Sequence, residues 1–128
     1  MRRNHFLIVA TIVPGAFGLV MMVAPDLMLG NSLAIEAGAS TRVVTQWVGF
    51  AVFSLALITF FSRNDPGSAA LRAVMLGNIV FHVLGAGFDL YDYSAGFMKT
   101  SGAVSGVLPH VLLAIGFVYY LVKLPRQA

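Results

Sequence analysis

Residues 43–62 read VVTQWVGFAVFSLALITFFS and contain no charged side chain. A helix of about 20 residues, rising about 1.5 Å per residue, crosses the roughly 30 Å hydrocarbon core of a bilayer. The next letters, RNDP at residues 63–66, form a connection too short for anything except a tight reversal, and another apolar run follows them. This stretch therefore predicts two transmembrane helices joined as an antiparallel hairpin.

The second arm of this hairpin contains an uncharged run at residues 73–88, and further uncharged runs flank the hairpin at residues 6–24 and 100–122. The third helix is predicted to begin before its uncharged run, because Asp65 and Pro66 have the residue types of an N-cap and the first helical position. The predicted spans are 6–24, 43–62, 69–90 and 103–122, within a single membrane domain of residues 1–128. Backbone groups find no water in lipid, and the runs lack the alternation of barrel strands. The predicted fold class is therefore all-α, a polytopic membrane protein with an antiparallel bundle of four transmembrane helices.

Composition agrees with this fold class and excludes several functions. The chain is 59% hydrophobic and 10% charged, whereas soluble domains have about 25% charged residues. Its net charge of +3 does not predict a nucleic-acid partner, because the basic residues flank apolar runs instead of sharing one face. The absence of cysteine excludes disulfides, thiolate metal sites and cysteine nucleophiles. No metal site is predicted. The cofactor stays unknown, with none as the plainer expectation.

The basic residues predict the direction of the spans, because Lys and Arg concentrate in cytoplasmic connections. Arg42 and Lys99 fall at one end of the predicted bundle, and the remaining basic residues fall at the other: Arg2, Arg3, Arg63, Arg72, Lys123 and Arg126. Both termini are therefore expected in the cytoplasm. The first run also has the basic start of a secretory signal peptide, but it is long for one and is interpreted as the first span.

The longest connection, residues 25–41, is not uniformly polar. It carries Leu27, Met28, Leu29, Leu33 and Ile35. Two interpretations remain open: an anchor lying on the outer membrane surface, or a segment folded over the mouth of the bundle as a lid. The anchor is the plainer interpretation.

Polar side chains follow one face of the third helix. At about 100° per residue, a single arc of about 80° contains Asn78, His82, Gly85, Asp89 and Asp92. Polar groups in a span are costly in lipid, so this face is expected to point into the bundle or into a wet cavity.

The second and fourth helices offer partners for this face. Arg42 and Gln46 share one face of the second helix, and His110 lies beside a small-residue face of the fourth. If the third and fourth helices are neighbours, His82 and His110 meet in the outer half, with Arg42, Gln46 and Asp89 closing the outer end. The candidate ligand-binding residues are Arg42, Gln46, Asn78, His82, Asp89 and His110, and the candidate acid–base residues are His82, His110 and Asp89.

A purely structural alternative stays open at this point. In it, His82 bonds only to Asn78 or to the fourth helix, and Asp89 is an interfacial residue paired with Arg42. The polar face would then hold the bundle together and bind nothing.

Several features resemble the small four-helix, loosely DoxX-like membrane proteins of bacteria. They are a first span ending in Ala24-Pro25-Asp26, Arg42 ahead of Gly49, the Arg63-Asn-Asp-Pro hairpin, and His110 before Ala114-Ile-Gly-Phe-Val-Tyr-Tyr. The resemblance covers most of the chain. It implies a four-helix fold in a bacterial inner (plasma) membrane and implies no catalytic residue.

The leading functional hypothesis is a binding or accessory protein. Such a bundle holds an apolar or amphipathic small molecule of the lipid or quinone type, or docks beside a larger membrane complex. The second hypothesis is a membrane-embedded enzyme in which His82 and His110 carry out acid–base chemistry on a lipophilic substrate. A third makes the two histidines ligands of a haem or pigment, and transport is the last. The expected partners are membrane lipid and either a second copy of the chain or a larger membrane complex.

Overall fold

The structure is a computed structural model that describes residues 2–125. Within that range the chain forms five α-helices: α1 Arg3–Val23, α2 Pro25–Ser32, α3 Ala39–Phe61, α4 Ala69–Ser94 and α5 Thr100–Val122. The four long helices are long and apolar enough to cross a membrane. The predicted all-α, four-helix bundle is thereby confirmed, and each predicted span overlaps one of the long helices.

The charged residues divide between the two ends of the bundle. The end at which α1 begins and α5 ends, called the terminal end, includes Arg3, Arg63, Arg72 and Lys123. At this end the Arg3 guanidinium donates to the carbonyl of Asp65, and Arg72 donates to the carbonyl of Leu124 at 3.3 Å. The opposite end, called the loop end, carries Arg42 and Lys99. Arg126, also predicted at the terminal end, lies outside the described residues.

The long helices form two tightly packed pairs, α1 with α3 and α4 with α5, and contacts between the pairs are fewer. The first pair meets backbone to backbone at Gly18 and Gly49. A Cβ placed on Gly18 would lie 2.8 Å from the amide nitrogen of Phe53 and 2.9 Å from the carbonyl oxygen of Gly49. Small residues at this contact therefore allow the two helices to approach closely, as they commonly do in membrane proteins.

The seam between the two helix pairs is filled at the terminal end. The buried cluster there consists of Phe6, Leu7, Ala10, Leu71, Met75, Leu113, Phe117 and Leu124. Phe6 packs with its ring edge against Phe117, at 5.0 Å between the ring centroids, and Phe117 has no exposed surface. The bundle is therefore closed at the terminal end, and any internal space lies towards the loop end.

The turn between α3 and α4 differs from its predicted capping. Ser68, not Asp65, is the N-cap of α4, and its hydroxyl accepts from the amide of Leu71 at 3.2 Å. Gly67 has φ +129°, so the helix cannot extend back through it to Pro66. The carboxylate of Asp65 instead accepts from the amides of Gly67 at 2.8 Å and Ser68 at 2.7 Å. The expected N-cap at Asp65 was wrong, although α4 begins at Ala69 as the predicted span does.

The connection of residues 25–41 folds over the loop end. It contains α2, whose Leu29 is only 8% exposed, and its end pairs with the segment before α5. The amide of Ala34 donates to the carbonyl of Phe97 at 2.9 Å, and the amide of Lys99 donates to that of Ser32 at 2.8 Å. Backbone pairing thus holds the connection against the segment before α5, as expected of a segment folded over the mouth of the bundle. Its expected place on the outer membrane surface stays a prediction.

Candidate functional site

Two histidines from neighbouring helices meet inside the bundle. His82 on α4 and His110 on α5 are joined Nδ1 to Nδ1 at 2.8 Å, and His82 is only 2% exposed. Such a short contact between two ring nitrogens requires that one of them carries a proton and the other accepts it. The predicted meeting of the two histidines is confirmed.

Asp89 extends this pair towards the loop end. Its Oδ2 lies 3.9 Å from Nε2 of His110, one of the two ring nitrogens, while the other faces His82. The three side chains therefore lie in the order Asp89, His110, His82. We call them the Asp–His–His cluster.

Aromatic rings fix the orientation of both imidazoles. The ring of Phe117 stacks on His82, with 5.9 Å between centroids and 21° between planes. Phe81 contacts His82 at 5.2 Å and His110 at 5.6 Å, in both cases edge to face. Because these rings limit the rotation of the histidines, the contact between their Nδ1 atoms is held in one geometry.

Glycines make room for the cluster in the tight α4–α5 pair. A Cβ on Gly85 would lie 2.5 Å from Cε1 of His110, and a Cβ on Gly106 would meet the carboxylate of Asp89. A larger residue at either position would occupy the space of a polar side chain. Gly85 and Gly106 therefore leave space for side chains of the cluster, whereas Gly18 and Gly49 allow two helix backbones to approach each other.

A cavity of about 350 Å³ lies beside the cluster, between the two helix pairs. All four long helices contribute to its wall, and α2 and Met98 cover it from the loop end. Its lining consists of Val13, Pro14, Phe17, Met21, Met28, Ser32, Val48, Val52, Phe81, His82, Gly85, Asp89, Met98, Gly102, Ser105, Gly106, Pro109, His110 and Leu113. The wall is thus mostly apolar. Its ionisable side chains are those of the Asp–His–His cluster, and Ser32 and Ser105 are its other polar side chains.

Two buried polar atoms of the cluster lack a hydrogen-bond partner among the described residues. They are Nε2 of His82 and Oδ2 of Asp89. A buried polar group without a partner costs about 1–3 kcal/mol, so such atoms generally bond to a water molecule, an ion or a ligand. Both residues line the cavity, and a polar group bound there would satisfy them.

The number of protons on the cluster determines what these atoms can do. Two neutral histidines carry two protons, one between the Nδ1 atoms and one on an Nε2. With Asp89 ionised, the favourable arrangement places that second proton on Nε2 of His110, facing the carboxylate. Nε2 of His82 is then a bare acceptor. The cluster therefore offers acceptors on His82 and Asp89 to a ligand that donates.

The other predicted site residues lie away from the cavity. The amide of Asn78 donates to the hydroxyl of Thr59 at 3.0 Å and joins α4 to α3. Gln46 donates to the carbonyl of Met22 at 3.1 Å, in the contact between α3 and α1. Both residues therefore connect helices, and neither is part of the cavity wall.

Arg42 also has a different partner from the expected one. Its Nε donates to Oδ1 of Asp26 on α2 at 2.5 Å, so it pairs with Asp26 and not with Asp89. The predicted closure of the outer end by Arg42, Gln46 and Asp89 is wrong. The face of α3 that carries Arg42 and Gln46 packs on α1 and α2, whereas Asp89 faces α5.

Sequence reasoning missed much of the cavity wall. Phe17, Phe81 and Ser105 carry no periodic polar signal, and Met28 and Met98 come from connections whose path the sequence does not show. One signal was available. Gly85 and Gly106 lie on the same faces as the polar residues, and their missing side chains mark where those residues fit.

The geometry of the cluster does not fit a haem held between the two histidines. Axial ligands bind from opposite faces of a planar macrocycle, whereas these imidazoles are in direct contact through Nδ1. Within residues 2–125, no group of three or more His, Asp or Glu side chains is arranged to hold a metal ion.

Comparison with known proteins adds no further constraint. The likeness to DoxX-like bacterial proteins stays a prediction from the sequence. No protein-family profile, no curated protein and no solved structure matches this chain.

Proposed function

We propose that this protein binds a small amphipathic molecule within the membrane, with the polar head of the ligand at the Asp–His–His cluster. The observation that carries the proposal is the pair of buried atoms without partners, Nε2 of His82 and Oδ2 of Asp89, in the wall of an apolar cavity. The proposed ligand completes the hydrogen bonds of both atoms.

The size and chemistry of the cavity support this proposal. Small-molecule sites occupy about 300–1,000 Å³ and have mostly apolar walls with a few polar groups that orient the ligand. The cavity here, at about 350 Å³, falls at the small end of that range. The cavity has room for the polar head and first carbons of a lipid-like molecule, whereas a large ligand would not fit inside it as a whole.

The proposed location is a bacterial inner membrane, with both termini in the cytoplasm. The excess of basic residues at the terminal end supports this direction. The cavity, which lies towards the loop end, would then be in the outer half of the bilayer. Exposed apolar side chains on all four long helices would face lipid, a second copy of the chain, or a larger membrane complex.

The test is native mass spectrometry of protein extracted with its bound lipids. We expect wild type to retain a small molecule and His82→Leu to lose it, because leucine fills the site without offering an acceptor. His5→Leu is the matched control, since His5 is an exposed histidine at the terminal end. Equal retention by His82→Leu, in a preparation with the helical content of wild type, would overturn the proposal.

The continuous order of Asp89, His110 and His82 favours a second candidate function, acid–base catalysis on a lipophilic substrate. A hydroxyl proton taken up at Nε2 of His82 would release the Nδ1 proton of that ring to Nδ1 of His110. The Nε2 proton of His110 would then pass to Asp89. One proton enters and one arrives at the carboxylate, so the cluster can act as an extended base.

A long-chain nitrophenyl ester in nanodiscs tests this candidate. General-base action by the cluster predicts hydrolysis that falls about 10²–10⁴-fold in His82→Ala and in His110→Ala. His5→Ala should keep the wild-type rate. Equal rates in wild type and both cluster variants would remove the cluster from this chemistry.

A further inference from the structure

A second, shallower space lies on the outside of the bundle, between α1 and α2. This groove measures about 270 Å³, and its walls are Ala16, Phe17, Val20, Leu27, Met28 and Asn31. It carries no charged side chain. Leu27 is 59% exposed, so the groove is open on the outer surface of the bundle.

The groove and the cavity share two wall residues. Phe17 on α1 and Met28 on α2 line both spaces, so each of these side chains borders the groove as well as the cavity. Phe17 is 37% exposed, which shows that its ring is not enclosed by the bundle. Methionine is unbranched and adapts its shape easily, so the side chain of Met28 can change its rotamer to admit a chain between the two residues.

The cavity and the groove differ in the chemistry of their walls. The cavity has the acceptors on His82 and Asp89 in its wall, whereas the side chains that line the groove are apolar except for Asn31. A molecule that fills both spaces must have a donor at one end and a hydrocarbon chain at the other. A hydroxyl donates a hydrogen bond and carries no charge into the apolar cavity.

We propose that the groove between α1 and α2 holds the hydrocarbon chain of a single-chain lipid with a hydroxyl head, which enters from the bilayer between Phe17 and Met28. The proposal rests on the proposed function, because it places the head at the Asp–His–His cluster. It adds the ligand class and the route of entry. A closed pocket that is filled from the aqueous side would require neither a ligand with a hydrocarbon chain nor an opening towards the bilayer.

Photochemical labelling in nanodiscs tests both spaces separately. The long probe is hexadecanol with a diazirine at mid-chain, and the short probe is a diazirine derivative of hexanol. Peptide mapping locates the labels. In wild type, the long probe should label the groove residues of α1 and α2, whereas the short probe should label residues beside His82 and Ser105.

A variant that blocks only the groove separates the two proposals. Ala16→Phe places a ring in the groove, and Ala16 does not line the cavity. Labelling of the groove by the long probe should fall at least about tenfold in Ala16→Phe, while labelling by the short probe is kept. Ala51→Phe is the matched control, because Ala51 is an exposed alanine of α3 outside both spaces, and it should label as wild type does.

Each remaining outcome counts against a specific proposal. If the long probe labels no groove residue in wild type, or labels Ala16→Phe as strongly as wild type, the proposed site for the hydrocarbon chain is wrong. The proposed site for the head group is then still supported by labelling of the cavity with the short probe. If the short probe fails to label the cavity wall in wild type, the proposed function fails, and the chain site fails with it.

Discussion

The ring of His110 lies directly over Gly85, on the neighbouring helix. A Cβ at Gly85 would be 2.5 Å from Cε1 of the ring and 2.6 Å from Nε2, which is closer than non-bonded atoms approach. The missing side chain of Gly85 is thus what allows His110 to reach His82 with Nδ1 atoms 2.8 Å apart. The site therefore depends on a residue with no functional group of its own.

Gly85→Ala should destabilise the protein and displace His110. The added methyl group overlaps a ring that Phe81 already contacts, and overpacking of this kind costs about 1–3 kcal/mol. Gly77→Ala on the same helix is the control, because nothing lies within 4 Å of a Cβ there. It should be neutral or should stabilise the helix by up to about 1 kcal/mol. Thermal unfolding in detergent, followed by circular dichroism, measures both; equal unfolding temperatures would contradict the account.

Gly18→Ala should loosen the pair of α1 and α3. The new Cβ would meet backbone atoms of Phe53 and Gly49, which cannot rotate away, so the helices must separate at a cost of about 1–3 kcal/mol. Gly15→Ala is the matched control on the same helix, because its Cβ would lie 3.5 Å from Cβ of Ala56, an ordinary contact. If the two variants unfold at the same temperature, the close backbone contact is not important for stability.

The turn before α4 should lose stability in acid. Hydrogen bonds from the amides of Ser68 and Gly67 hold the pKa of Asp65 below its ordinary value of 3.8. A carboxyl with a lowered folded-state pKa stabilises the fold above its unfolded pKa, and this contribution disappears as pH falls through the folded value. The difference in unfolding temperature between wild type and Asp65→Asn should be constant above about pH 5 and shrink below about pH 4. A difference that stays unchanged down to about pH 3 would contradict this role.

Single cysteines can report the direction of the bundle, because the chain has no cysteine of its own. Asn64 and Ser94 are exposed and lie at opposite ends, at the α3–α4 turn and at the end of α4. In intact bacterial spheroplasts, a membrane-impermeant maleimide should label Ser94→Cys, whereas Asn64→Cys should react only after permeabilisation. The reverse pattern would place the termini outside and would contradict the orientation predicted from the basic residues.

The helices and part of the site could be predicted from the sequence because they depend on local periodicity. Four apolar runs of bilayer length determine four spans, and the spacing of His82 and Asp89 places them on one face of α4. Their meeting with His110 required only that α4 and α5 be neighbours, which a short connection between them favours. These features follow from distances along the chain.

The partners of Arg42 and Gln46 could not be predicted in this way. Both residues lie on a regular face of α3, but which helix that face meets depends on how the four helices are arranged. The path of residues 25–41 could likewise not be predicted from the sequence, because it depends on backbone pairing with the segment before α5. Helical periodicity gives the direction of a side chain, and only packing determines its neighbour.

The central claim is that Nε2 of His82 is an acceptor for a ligand in the cavity. The most direct test is nuclear magnetic resonance of protein with isotope-labelled imidazole nitrogens, because the chain has only three histidines. Titration with hexanol in nanodiscs should shift the Nε2 resonance of His82 saturably and leave both nitrogens of His5 unchanged. An Nε2 resonance of His82 that stays fixed, or that moves linearly together with His5, would contradict the claim.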